Sequence, residues 1–138
     1  MASDELMDNI HHALGRPLNA SVEPYRNRYC VEFTSPTARA FARSPYWELG
    51  DIINNGTMGI FFVTDEGIAA LWPWLAAKQK AEGRRVYAVT FDDGDRHLVQ
   101  AKSRSAAIYS RYLDISDVRH DMTFRDFLDM EPRARLAA

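Results

Sequence analysis

Residues 59–71 read GIFFVTDEGIAAL, and within these thirteen positions the period of the sequence changes. Gly59 to Val63 is a continuous apolar run fit for a buried strand. From Thr64 onward the apolar residues are Ile68, Leu71, Trp72 and Leu75, which recur at helical spacing. Thr64 is a hydroxyl cap, and Asp65 and Glu66 favour the positive end of the helix that it opens. The same two acids make this turn a poor phosphate cradle, because they occupy the terminus that an anion needs. A strand leading directly into a helix makes the chain a mixed one. Pro73 lies well past the first turn and is expected to kink or split the helix, which Gly83 ends.

On the N-terminal side, Ser3 with Asp4 and Glu5 starts a helix whose stripe is Leu6, Ile10 and Leu14. Gly15 and Pro17 end it. Residues 16–27 read as a loop. RYCVEF (28–33) alternates, with Tyr29, Val31 and Phe33 on one side of a half-buried strand. Thr34-Ser35-Pro36 opens a short helix to about Arg43, with Ala38 and Phe41 inward and Arg39 and Arg43 on one exposed side. YWELGDII (46–53) is expected to form a further helical turn, stopped by Gly50 or by Asn54-Asn55-Gly56. Asn55-Gly56 is a tight-turn signal.

On the C-terminal side, RRVYAVTF (84–91), DDGD (92–95) and RHLVQA (96–101) predict a β-hairpin around an Asp-Gly turn. Ser103 caps a helix in which Ala106, Ala107, Ile108, Tyr109 and Leu113 supply small inner residues and aromatic edges. Thr123 with Asp126 approximates a capping box ahead of Phe124, Phe127 and Leu128. The tail from Pro132 is expected to fray. The fold class is therefore α+β. A chain of 138 residues is one domain, or two small halves sharing a core. The parts are 1–83, 84–131 and a tail at 132–138.

Composition narrows the functional classes. The hydrophobic share is 46% and the aromatic share 12%, which is globular rather than disordered. Cys30 is the single cysteine, so no intrachain disulfide forms. The acidic N-terminus lacks a secretory pattern and no apolar run is long enough to span a bilayer, so a cytoplasmic protein away from membranes is expected. The net charge is −2, which argues against global steering towards nucleic acid. Charge is uneven along the chain. Residues 24–46 hold Arg26, Arg28, Arg39 and Arg43 against Glu32, whereas residues 114–131 are mainly acidic.

No catalytic or metal motif is found. Asp92, Asp93 and Asp95 bracket a glycine, but a four-residue turn cannot wrap a cation as a calcium loop does. Cys30 lacks any patterned link to His97 or His120 that a nucleophile would need. His11 and His12 point apart on their helix, and His120 stands in an acidic loop. GTMG (56–59) is too short to cradle a phosphate. No cofactor is implied. Tyr25, Tyr29, Tyr46, Trp47, Trp72 and Trp74 are either binding anchors or edges of the core with a wet polar tip. Arg26, Arg28, Arg39, Arg43, Tyr46 and Trp47 are the candidate partner-binding residues.

The stretch ELGDIINNGTMGIFFVTDEGIAAL (48–71) resembles the end of a winged helix-turn-helix domain, through Val63, Thr64, Gly67 and Leu71. The resemblance implies a winged-helix-like N-terminal part packed on the C-terminal hairpin and helices, and a DNA-binding regulator as one function. The helix that would enter the groove is short, and Glu48 and Asp51 follow it. The chain as a whole looks like small phage and prophage proteins through Tyr25-Arg26-Asn27 and Tyr29, the segment around Val63-Thr64, and Ala101, Ser103, Arg104, Ala106 and Ala107. That resemblance implies a mobile-element accessory protein acting by binding in the host cell. An anti-CRISPR-like antagonist of a host protein or protein–nucleic acid complex is the leading expectation, and the DNA-binding regulator is the alternative.

Overall fold

In a computed structural model describing residues 3–91 and 94–137, the Ser3 hydroxyl accepts the Leu6 amide at 3.2 Å and opens α1 (Asp4–Ala13). Ile10 and Leu14 are fully buried, as their spacing requires, and Met7 joins them. The chain divides into two compact units, Met1–Ala76 and Ala77–Ala138. This division falls seven residues before the boundary expected at Gly83, inside a helix. The first unit holds five Lys or Arg against nine Asp or Glu, a net −4; the second holds twelve against ten, a net +2.

In the first unit α1 is followed by β1 (Tyr29–Glu32), α2 (Pro36–Arg43), β2 (Trp47–Ile53), β3 (Met58–Val63) and α3 (Asp65–Ala81). The strands form an antiparallel sheet in the order β1-β3-β2. Residues opposite one another in the register share a face. Tyr29, Phe61, Val31, Gly59, Trp47, Val63, Leu49 and Ile52 therefore point one way. This inner face meets Ile10, Leu14, Ala38, Phe41 and Leu71 in one core. Phe41 stacks on Trp47 with centroids 3.8 Å apart, and Phe61 and Tyr29 meet the Phe41 ring edge-on. The outer face carries Cys30, Ile60, Phe62, Glu48, Met58 and Ile53.

Segment 46–53 corrects the expectation of a helical turn, since Trp47–Ile53 is strand β2. Leu49, Ile52 and Ile53 are spaced three and four apart, which imitates a helix. The spacing arises from a bulge: Leu49 pairs with Phe61 and Ile52 with Gly59, so β2 holds one extra residue. Asn54, Asn55 and Gly56 all take positive φ and turn the chain back into β3. Among the described residues, Ser44–Tyr46 thus leads straight from α2 into the sheet, with no second helix of a helix-turn-helix between them. Thr64 caps α3 as expected, accepting the Gly67 amide at 3.2 Å and donating to the Pro45 carbonyl at 2.8 Å. The helix is not split at Pro73. Its ring denies one hydrogen bond to the Ala69 carbonyl, and both residues are on the exposed side of the helix, where the loss costs least.

In the second unit β4 (Arg85–Thr90) and β5 (Arg96–Ala101) form the expected hairpin. Asp92 and Asp93 of its turn lie outside the described residues, and Gly94 has φ +85°. The helices α4 (Arg104–Ser116) and α5 (Phe124–Asp129) follow. Thr123 and Asp126 complete the capping box, with both amide-to-side-chain bonds at 3.1 Å. The tail corrects the expectation of fraying. Arg133–Leu136 is strand β6, pairing antiparallel with β4, so the sheet order is β5-β4-β6. Tyr87, Val89, Val99 and Ala101 pack with Ala107 of α4 and with Ala134. Phe91 and Phe127 meet edge-on at 5.6 Å beneath α5.

Candidate protein-interaction surface

The expected partner-binding residues separate once placed in the fold. Trp47 is only 5% exposed and stacked in the first core, so it is a packing residue rather than a surface anchor. Its indole Nε1 is buried without a partner among the described residues. Tyr46 is half-buried against the same core. Arg26 is exposed but employed, donating to the His12 carbonyl at 2.6 Å at the carbonyl end of α1. Its guanidinium also lies 5.7 Å from the Tyr25 ring centroid. Tyr25 in turn lies over Gly15, so close that a side chain there would overlap the ring. The loop pair Tyr25-Arg26 is thus a clamp on the end of α1. Arg28, Arg39 and Arg43 are exposed. Of the other aromatic candidates, Tyr29, Trp72 and Trp74 are half-buried at the core edge, and Trp74 Nε1 donates to Asp4 at 3.0 Å.

The exposed large apolar residues lie elsewhere: in the second unit on α4, α5, β6 and the segments between them (Tyr109, Leu113, Val118, Phe124, Leu128, Met130 and Leu136), and in the first unit on the β2–β3 hairpin. Six of the hairpin's seven β2 residues are exposed. Leu49 is 40% exposed and Ile52 48%, at the end of the inner face beyond the core, with Phe33 at 37% beside them. On the outer face Ile53 and Phe62 are exposed, and the Phe62 ring lies directly on Gly50. A glycine at the bulge lets that ring lie flat on the backbone, which holds a large side chain in place without burying it. Glu48 and Asp51 border these residues on β2. The sequence signal for this surface is the β-branched and aromatic content of 47–53 together with Asn-Asn-Gly. The helical spacing produced by the bulge masked it.

Cys30 is exposed on the outer face opposite Ile60. His97 lies 3.7 Å from Asp95, both near the surface. The cation-site reading of Asp92, Asp93 and Asp95 falls in part outside the described residues. No group of three His, Cys, Asp or Glu is arranged to hold a metal among the described residues. A groove of about 200 Å³ between α1 and α2 is lined by Ser3, Leu6, Asn9, Thr37 and Phe41, with Glu5 as its one charged residue. No helix is long and apolar enough to cross a membrane.

No protein-family model matches the chain, and no curated protein or solved structure is significantly similar to it.

Proposed function

We propose that the chain is a non-catalytic binding protein that acts by protein–protein contact through its β2–β3 hairpin. One observation carries this reading: Leu49, Ile52, Ile53 and Phe62 are all more than a third exposed on a single hairpin, although the same unit builds a closed core. Scattered surface apolar residues are ordinary, but a cluster on one projecting element marks a contact site. The role as a mobile-element antagonist of a host factor, anti-CRISPR-like in kind, rests on the resemblance to phage proteins alone. The winged-helix regulator is the weaker reading. Its resemblance is supported by the strand order β1-β3-β2, yet β2 occupies the place of the helix that would enter a groove.

The test compares affinity capture from a host lysate by the tagged wild-type chain and by a Leu49→Asp/Ile52→Asp variant. Both positions are exposed, so the variant is expected to melt within a few degrees of wild type. A stoichiometric host protein retained by wild type and lost from the variant supports the reading. Equal capture by both, or no capture by wild type, defeats it.

A further inference from the structure

Formation of β6 places three arginines on one face of the second sheet. In the register Arg133 lies opposite Thr90, and Thr90 lies opposite Arg96, so all three point to the same side. Arg135 stands two residues from Arg133, opposite Ala88, and therefore shares that side. It is the side away from α4, because the helix packs on Tyr87, Val89, Val99 and Ala134, which alternate with these positions. Arg96, Arg133 and Arg135 are all exposed, and none forms an ion pair or hydrogen bond with another described residue. The remaining strand residues on this side are Val86 and Ala88, which are buried, and Thr90, Leu98 and Gln100, which are half-buried; none is acidic or aromatic, so the exposed part of this side is the arginines themselves. His97 lies opposite Val89, on the other side of the sheet, and pairs with Asp95 at 3.7 Å. Strand spacing sets Arg96 and Arg133 about 10 Å apart across β4, and Arg133 and Arg135 about 7 Å apart along β6.

We propose that this arginine face binds the phosphate backbone of double-stranded DNA, independently of base sequence. Three guanidiniums without a partner among the described residues, on strands that bring no described acid to this side, match a polyanion, and each presents a fork of donors to phosphate oxygens. Single-stranded sites add aromatic platforms on which bases stack, and this face has none. The basic balance of the second unit is consistent with that partner, whereas the first unit, which carries the hairpin, is acidic. This surface goes beyond the protein contact proposed above and uses none of its residues.

Fluorescence anisotropy with a labelled duplex of mixed sequence, titrated at several salt concentrations, tests the inference. Three phosphate contacts give a slope of log K against log salt near −2.7, or about a 40-fold loss of affinity between about 50 mM and about 200 mM salt. Each of Arg96→Gln, Arg133→Gln and Arg135→Gln is expected to reduce that slope by about 0.9. The triple Arg→Lys variant keeps the charge and is expected to keep most of the slope, which separates loss of contact from loss of fold. Binding that is absent at low salt, that survives the triple Gln variant, that prefers a single strand of equal length, or that is lost instead in Arg39→Gln/Arg43→Gln overturns the proposal.

Discussion

Trp47 shows how a single residue can serve packing at the expense of hydrogen bonding. Its ring stacks on Phe41, yet its indole N–H is buried without a partner among the described residues. An orphaned donor of this kind costs about 1–3 kcal/mol, which the apolar contact of the ring must outweigh. Trp47→Ala is therefore expected to cost about 3–5 kcal/mol in urea unfolding. Trp47→Phe keeps most of the ring contact and removes the orphan, so its cost is expected to be well below half of that. Equal costs for the two would show that the N–H is satisfied in solution. At Thr123 the balance is the reverse. The backbone N–H of Thr123, and secondarily its hydroxyl, holds the Asp126 carboxyl below its ordinary value of 3.8. A carboxyl lowered in the native state stabilises above its unfolded pKa and loses that contribution as pH falls through the native one. Thr123→Ala is expected to cost about 1 kcal/mol at neutral pH. Asp126→Asn is expected to flatten the dependence of stability on pH below about 4, read by thermal melts across that range.

At the scale of elements, the places where chain pattern and tertiary pairing agree were readable in advance. The β4–β5 hairpin announces itself through two alternating runs and an Asp-Gly turn. The starts of α1, α2, α4 and α5 follow from hydroxyl caps whose bonds are present. β2 was not readable, because the extra residue at its bulge converts a strand's alternation into a helix's spacing. β6 was not readable either, since Arg133–Leu136 is short and charged and gains its conformation only by pairing with β4. The same limit governed the candidate site. Arg26 and Trp47 look like surface anchors in the chain, but one closes the end of α1 and the other fills the core. The exposed hairpin and the arginine face both depend on register, which residue types alone do not specify. The α3 junction tests how tightly its elements meet. A Cβ at Gly67 would stand 2.7 Å from the Tyr46 carbonyl oxygen and from Val63 Cγ1. Helix propensity favours alanine over glycine by about 1 kcal/mol, whereas overpacking costs about 1–3 kcal/mol. Gly67→Ala is accordingly expected to destabilise, and a rise in the urea midpoint would contradict the close approach.

At the scale of the whole molecule, two cores are present, one around Phe41, Phe61 and Leu71 and one around Tyr87, Val89 and Ala107. Local opening follows local packing, so a cavity in one core is felt first in its own unit. Phe41→Ala is expected to speed hydrogen exchange of β1 and β3 amides while those of β4 retain more protection; uniform loss across both sheets would show a single cooperative unit. The bulged edge strand has a further consequence, for solubility. β2 lies at the border of its sheet, with seven residues and a backbone edge open to a neighbouring chain. An apolar edge of that length is a template for aggregation unless something interrupts it. Here the bulge twists the edge, and the carboxylates of Glu48 and Asp51 act as gatekeepers between Trp47, Leu49, Ile52 and Ile53. Their protection depends on charge, so Glu48→Gln/Asp51→Asn is expected to shorten the lag of aggregation measured by light scattering at neutral pH. The hairpin proposed to meet a partner is thus also a place where copies of this chain can meet each other.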